Sequence, residues 1–433
     1  MRLISAMMLC LLIVSTTRAD DWPGWMGPFR DNVWREKGVL DKFPEGGPKV
    51  LWRAKVANGF SGPAVAGGLV FLTDFRSDQD ISADNFDRAK FVGKERVQCF
   101  DAKTGDLKWK YEYAATYTIS YPNGPRCTPV VDAGNLYTLG AEGNLICFEA
   151  KTGKINWSRD LRASYKVEAP LWGFAAHPLI DGDRLICMVG GKNAVVVAFD
   201  KNTGKELWKN LSAKEPGYSP PMIVQAGGKR QLLVWHPESI NGLDPETGKQ
   251  YWSLKVRTEN GTSIMAPRVL DNQLFLGGWQ RKGGLFQLDK DKPGAELVWK
   301  GDRDASVYPV NNTPHLEDGH IYGVCTDGEL RCVAMKDGER KWETYKPVAG
   351  EKAQSGTAHL VKHEDRFFIF AETGHLIIAK LNAKGYEEIS RWQMLAPTSK
   401  IFGREVVWAH PAFANQCVYG RNDKELICVS LAK

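Results

Sequence analysis

Along most of the chain, short apolar runs alternate with tight polar turns, and one arrangement recurs without gaps. It appears as Cys99-Phe-Asp-Ala-Lys-Thr-Gly-Asp-Leu-Lys-Trp109, Cys147-Phe-Glu-Ala-Lys-Thr-Gly-Lys-Ile-Asn-Trp157, Ala198-Phe-Asp-Lys-Asn-Thr-Gly-Lys-Glu-Leu-Trp208 and Gly242-Leu-Asp-Pro-Glu-Thr-Gly-Lys-Gln-Tyr-Trp252. Each copy reads as a strand, a turn of the form Asp/Glu-x-x-Thr-Gly, and a second strand ending in Trp. Gly supplies the positive φ of the turn, while Asp or Thr bonds its backbone. Looser copies follow: Cys332 to Trp342 keeps Gly338, and Trp299 and Trp392 end degenerate copies with Gly294 and Gly385 in their turns. Upstream of the copies lies another hairpin, seen in Pro129 to Tyr137, Pro178 to Ile186 and Pro267 to Phe275. Its two short apolar strands meet at an Asp/Gly turn. Each unit therefore holds four antiparallel strands, A to D, and units of this length with four strands are propeller blades.

The repeat tryptophans Trp109, Trp157, Trp208, Trp252, Trp299, Trp342 and Trp392 stand 43 to 51 residues apart. After Trp392, the stretch from Trp408 to Tyr419 supplies strands A and B and Glu425 to Ser430 supplies strand C, with no strand D following. The missing strand is at the other end of the chain, in Pro48-Lys-Val-Leu-Trp-Arg-Ala-Lys-Val56 with Trp52. The sequence thus predicts an all-β, eight-bladed propeller over residues 48–433, closed by the N-terminal strand and preceded by an arm over 20–47. A ring closed this way has no unpaired edge strand.

Composition adds limits. The 433 residues are 25% charged and 43% hydrophobic, with a formal charge of +6. No cluster of five or more Lys/Arg occurs, which argues against nucleic acid or an anionic membrane as the main partner. Arg2, the apolar run Leu3 to Val14, and Thr17-Arg18-Ala19 read as a cleavable secretory signal over residues 1–19. Cys10 sits mid-run and is not placed for a lipid anchor. A secreted or periplasmic chain with no transmembrane segment is expected, and a monomer. Of the eight remaining cysteines, Cys99, Cys147, Cys332 and Cys428 share one strand-C column, where Ala198 and Gly242 stand in other blades; Cys187, Cys325 and Cys417 fall in strand B. Equivalent positions of successive blades are too far apart to bridge, so buried reduced thiols are expected. No Cys-x-x-Cys or His-x-x-His pair suggests a metal site.

The Asp-x-x-Thr-Gly-x-x-x-Trp unit resembles the pyrroloquinoline quinone (PQQ) repeat. It is similar to the tryptophan-docking propellers of quinoprotein alcohol dehydrogenases and of the propeller subunit in outer-membrane barrel assembly. Asp21-Trp-Pro-Gly-Trp-Met-Gly-Pro-Phe-Arg-Asp31 and Phe43-Pro-Glu-Gly-Gly-Pro-Lys49 resemble the N-termini of secreted PQQ-like propeller proteins of planctomycete-type bacteria. The resemblance covers residues 21–433 and implies a fold more firmly than a chemistry, because function resides in sites grafted on a fold.

In a propeller the D–A and B–C loops emerge on one face and the tight A–B and C–D turns on the other. The long insertions all belong to the first face: about Asp74 to Lys94, Tyr111 through Tyr113, Tyr117 and Tyr121 to Arg126, Leu171 to Phe174, Trp279 to Lys282, and Ile401 to Glu405. The acidic insertion with Asp74, Asp78, Asp80, Asp84 and Asp87 lacks the Gly and closing Glu of a calcium loop and reads as a solvated loop. Strand A lines the channel. Its positions and those before it place Arg126, Trp172, His177, Tyr218, Asn311, Asn312, Arg404, Trp408 and His410 at one funnel mouth, with Trp279 on the same face. Two readings of that set stand: an aromatic-walled ligand pocket, or a channel lined with polar groups because water fills it.

Three function classes follow. The first is a non-catalytic binding or scaffold propeller of the envelope, taking a protein or small-molecule ligand on this face without a cofactor. It is favoured because the adjacent Cys-Cys pair, the Glu/Asn/Asp calcium set and the Cys-x-x-Cys-His haem signature, which the quinoprotein resemblance would imply, are missing. The second is a PQQ- and calcium-dependent dehydrogenase of alcohols or sugars. There Trp172, Trp279 or Trp408 would stack on the quinone, Arg126 or Arg404 would bind its carboxylates, and His177 or His410 would be the base. The third is carbohydrate binding or hydrolysis. The channel columns hold no carboxylate pair for glycoside hydrolysis, and Gly-x-Ser-x-Gly is absent.

Overall fold

The computed structural model describes residues 20–81, 83, 85–302 and 304–433. The expected signal over residues 1–19 lies outside the described residues, as does Asp84. Eight four-stranded antiparallel sheets follow one another around a ring, and a two-stranded hairpin, Ser399–Ile401 with Arg404–Val406, stands between the last two. Blade 1 is Ala64–Ala66, Leu69–Arg76, Phe91–Asp101 and Leu107–Tyr117. Blade 8 is Ala412–Ala414, Cys417–Arg421, Glu425–Ser430 and, from the other end of the chain, Val50–Lys55.

The closing strand carries the same irregularity as the strands it imitates. In blades 1 to 6, strand D skips one residue immediately before its Trp, so that Trp109, Trp157, Trp208, Trp252, Trp299 and Trp342 face Cys99, Cys147, Ala198, Gly242, Leu285 and Cys332 of strand C. Such a bulge twists the strand and re-aims the next side chain. The N-terminal strand has the identical skip between Val50 and Trp52, and Trp52 faces Cys428. Blade 7 pairs Leu376 with Trp392 but places its bulge two residues earlier.

These tryptophans join blades to one another. Most of the indoles lie against the C–D turn of the next blade and donate to a carbonyl there: Trp109 to Ala150, Trp157 to Lys201 and, across the closure, Trp52 to Ala102, all at 2.9 Å, and Trp299 to Met335 and Trp342 to Asn382, both at 2.7 Å. Trp208 packs on its turn glycine, Gly248, without such a bond. The turn glycine is required by both conformation and space. Gly105 has φ +77°, and a Cβ on it would lie 2.6 Å from the Trp52 ring. Blade 8 has no C–D turn, and Gly47 of the arm covers Trp392 in its place. Trp252 breaks the pattern because the degenerate turn Asp289 to Gly294 follows it; its indole donates instead to Gln231 of its own blade at 2.6 Å.

All eight cysteines among the described residues are free and buried. Burial pushes the Cys99 and Cys325 thiols up to about 12 and Cys332 to about 11, so they pack as small apolar groups. Cys325 falls just past strand B of its blade, His320–Val324, rather than within it.

Blade 1 differs from the sequence expectation. Tyr111, Tyr113 and Tyr117, read as loop, lie on an eleven-residue strand D paired along its whole length with strand C. Asp74, read as part of a solvated acidic loop, is fully buried at the end of strand B. It accepts from Arg96 at 2.5 and 2.6 Å, from Gln98 at 2.8 Å and from the Ala57 amide at 2.7 Å. A buried carboxylate persists only when paired and hydrogen-bonded in this way. Glu95 of the extended strand accepts from the Tyr113 and Tyr117 hydroxyls and the Ala141 amide, and burial raises its pKa.

The segment before the closing strand crosses the A–B/C–D face. Trp22 bridges to Val65 of blade 1, the Val131 amide of blade 2 donates to Pro23, Trp34 donates to Lys362 of blade 7, and Leu40 donates to Leu431 near the C-terminus. Midway, the buried Arg30 donates to Pro178 and His177 carbonyls of blade 3, and Arg268 of blade 5 donates to the Arg30 carbonyl. This crossing stoppers the channel at that face.

Candidate functional site

On the loop face the channel opens into a cavity of about 260 Å³. Of the ten residues the sequence singled out there, eight line it, Arg126, Trp172, His177, Tyr218, Trp279, Asn311, Trp408 and His410, and Asn312 lines the pocket beneath it. Arg404 does not. Its guanidinium donates to the Glu372 carboxylate at 2.9 Å and the Gln354 carbonyl at 2.8 Å, outside the cavity. The reason is electrostatic: Glu372 is buried and takes the nearest cation. Arg404 thereby acts on the wall indirectly, because Glu372 also accepts from the Trp408 indole at 3.0 Å.

The walls are aromatic and fixed. Trp172 donates its indole N–H to Asn85 at 3.1 Å and stands edge-on to Phe86 and Tyr218. Trp408 packs against Phe60 and Tyr121, and Tyr121 against Phe402. With the Trp172 and Trp408 N–H groups used outward, these two rings present apolar faces to the cavity. Trp279 opens a short 3-10 turn in the B–C loop of blade 5. Among the described residues, Arg126 is the one charged side chain in the lining. Its guanidinium lies over Phe60 and donates to the carbonyls of Gly124, Ser120 and Tyr121, so its donors are directed at its own loop.

The cavity deepens into a pocket of about 90 Å³ bounded by Trp25, Asn32, His177, Asn312, Thr313, His359 and His410, among others. Trp25 of the arm stacks flat on His177, with centroids 4.5 Å apart and planes 7° off parallel. The funnel is therefore blind.

Three imidazoles ring this depth, and burial holds all three below their ordinary pKa, His359 at about 4 and His177 and His410 well down. Their hydrogen bonds set the tautomers. His177 Nδ1 accepts from the Thr128 amide at 3.0 Å, so Nε2 carries its proton. His410 Nδ1 donates to the Pro411 carbonyl at 2.7 Å and His359 Nε2 to the Trp408 carbonyl at 3.1 Å. Five buried polar atoms at the lower wall have no protein partner: Asn32 Oδ1, Thr128 Oγ1, Asn311 Nδ2, Asn312 Oδ1 and His410 Nε2.

Sequence reasoning missed Trp25, Phe86, Asn85, Tyr121, Phe402 and His359. His359 had a signal in its register: it lies on strand A of blade 7, Ala358–His363, and strand A lines the channel.

The profile of the family described as outer membrane protein assembly factor BamB, a PQQ-repeat family, matches residues 93–344 and 236–432. The chain belongs to this PQQ-repeat propeller family. Among curated proteins it is 27% identical over 143 residues to the outer membrane protein assembly factor BamB of Burkholderia pseudomallei, covering 33% of this chain and 34% of that one. It is 26% identical over 194 residues to the quinoprotein ethanol dehydrogenase of Pseudomonas aeruginosa, covering 42% and 27%. The chain thus matches about a third or less of the length of these relatives. Among solved structures, BamB from Moraxella catarrhalis superposes with a TM-score of 0.57 at 16% identity over 88% of this chain and 97% of that one. The quinohemoprotein alcohol dehydrogenase of Comamonas testosteroni superposes at 0.61 and 13% identity over 95% and 80%. At such identities the structural likeness concerns the fold. One propeller family therefore spans a named assembly factor and a named dehydrogenase, and the lining of the funnel has to decide between those chemistries.

The lining does not fit PQQ with calcium. Calcium takes six to eight oxygen ligands, carboxylates foremost, and among the described residues no Asp or Glu lines either part of the cavity. Among the described residues no cluster of three or more His, Cys, Asp or Glu is placed to hold a metal ion. The carboxylates of the quinone would meet one described cation, Arg126, which already holds three carbonyls of its own loop.

Proposed function

We propose that this protein is a non-catalytic binding propeller of the cell envelope that takes its ligand in the loop-face funnel. The observation that carries this reading is the lining itself. It consists of fixed aromatic walls, neutral imidazoles, Arg126 and unpartnered amide and hydroxyl groups, with no carboxylate among the described residues to act as base, nucleophile or metal ligand. Such a surface recognises shape and hydrogen-bonding pattern. The envelope location is supported by the apolar leader-like segment and by the outer-membrane assembly role in the names of relatives. No described helix is long and apolar enough to cross a membrane.

The competing reading, a PQQ-dependent dehydrogenase, draws on the partial match to quinoprotein ethanol dehydrogenase. Titration of the purified protein with PQQ and calcium separates the two. The binding reading expects no saturable absorbance change and no dye reduction with alcohols or sugars. A saturable change accompanied by alcohol-dependent dye reduction would establish the dehydrogenase.

A further inference from the structure

We infer that the funnel binds the terminal residue of an uncharged saccharide, seated end-on with its apolar ring face against the tryptophan walls and its hydroxyls on the unpartnered atoms at the base. This rests on the binding reading above and gives it a ligand class.

Charge narrows the choice first. A buried anion needs a counter-charge with free donors, and Arg126, the single charged group of the lining among the described residues, directs three of its hydrogen bonds to the Gly124, Ser120 and Tyr121 carbonyls of its own loop. A cation over the aromatic rings would gain from their faces. It would be repelled by the fixed guanidinium in the same wall, with no carboxylate among the described lining residues to offset it. An uncharged ligand remains.

Hydrogen-bonding pattern narrows it further. The five unpartnered atoms are of mixed kind: Asn311 Nδ2 donates, Asn32 Oδ1, Asn312 Oδ1 and His410 Nε2 accept, and Thr128 Oγ1 does either. The acceptor character of His410 Nε2 is fixed, since Nδ1 holds the proton on the Pro411 carbonyl. Thr128, Asn312 and His410 are each more than nine-tenths buried, so leaving these groups unsatisfied costs free energy. A hydroxyl both donates and accepts, so adjacent hydroxyls of one sugar ring can answer both kinds. The same ring offers a flat C–H face to Trp172, Trp279 or Trp408, whose positions above the polar base match a ligand apolar on its side and polar at its tip. Geometry sets the mode of entry. Trp25, stacked on His177, closes the bottom, so a chain cannot thread through and its end must enter.

The test is equilibrium binding to the full mature chain, read by tryptophan fluorescence and by saturation transfer from protein to ligand protons. The probes are glucose, galactose, mannose, xylose and N-acetylglucosamine and their linear oligomers, with galacturonate and glucosamine as charged congeners, choline as a cation and adenosine as a neutral heteroaromatic. The inference expects saturable binding of at least one neutral saccharide, with saturation concentrated on its terminal residue. Its acidic or amino congener should bind at least about tenfold more weakly. His410→Phe, which keeps the ring but removes the acceptor, should weaken binding about tenfold for one lost hydrogen bond, and Asn311→Leu should do likewise should the first variant misfold. Binding of choline or adenosine in the funnel with none of the saccharides bound overturns the ligand class and leaves the binding propeller intact. PQQ-dependent dye reduction overturns both.

Discussion

A chain lacking residues 48–56 is expected to lose cooperative folding of the whole ring, not of one blade. The deleted strand is held in register from Val50 opposite Val429 to Lys55 opposite Glu425. Without it, Glu425–Ser430 becomes an exposed edge, and an unpaired edge of this kind templates association. The deletion also removes Trp52, which is buried in blade 8 and docked on Ala102 and Gly105 of blade 1. The blade 8 to blade 1 joint therefore opens together with the sheet. Trp52→Ala isolates that second part and should cost about 3–5 kcal/mol, the usual range for truncating a buried Trp. Thermal denaturation followed by circular dichroism checks both. A midpoint unchanged by the deletion would mean that blade 8 does not need this strand and that the ring is not closed by it.

The ring was readable in the sequence because its determinants are local and repeated. A turn glycine, a strand ending in Trp and a small residue opposite that Trp recur at one spacing, and even the distant strand around Trp52 keeps the bulge position of the others. Blade 1 was misread where the repeat stops giving guidance. Tyr111, Tyr113 and Tyr117 lie beyond the common blade length, and their alternation marks a strand continued past it. Asp74 looked like a loop acid because the partner that buries it, Arg96, lies on the neighbouring strand.

A steep loss of stability below about pH 6.5 is the second large effect expected. Burial holds seven histidines below their ordinary value of 6.5: His177 and His410 far below, His359 at about 4, His315 at about 3, and His236, His363 and His375 lowered. The sign follows from proton counting. Between the ordinary and the native pKa, the unfolded chain binds protons that the native chain refuses, so unfolding gains as pH falls. The effect begins near 6.5 and, for His359, is complete below about 4. At about 1.4 kcal/mol per unit of pKa difference, His359 alone accounts for about 3 kcal/mol. Glu95 and Glu329, whose carboxyls are pushed up by burial, act in the opposite sense, but they are two against seven. Urea midpoints measured from pH 7.5 to 4 should decline steadily from about 6.5 downward. A midpoint constant across that range would mean that these imidazoles are hydrated rather than buried.

The candidate site was legible in part, for the same reason as the fold. Positions approaching strand A recur in every blade, so His177, Asn311, Trp408 and His410 could be placed on one channel from spacing alone, and the cavity gathers them. Arg404 failed because spacing does not reveal a buried acid nearby, and Glu372 captures it. Trp25 failed because the arm belongs to no repeat. Nothing in its local sequence states that it crosses the opposite face and ends as the floor of the funnel. That floor is what turns a through-channel into a blind pocket.

The arm creates one rival surface, and it permits a direct test of which face binds. A concavity of about 760 Å³ lies between the arm and blades 1 and 2, beside Phe29, which is 68% exposed. A photoreactive benzoylphenylalanine placed at position 279 reports on the funnel mouth, and one at position 29 reports on the arm face. After irradiation of intact cells of the source organism, mass spectrometry of the two probe-bearing peptides reads which position has acquired a covalent adduct. Binding in the funnel predicts a mass shift at position 279 and none at position 29. A shift confined to position 29 would contradict it and assign the binding role to the arm face.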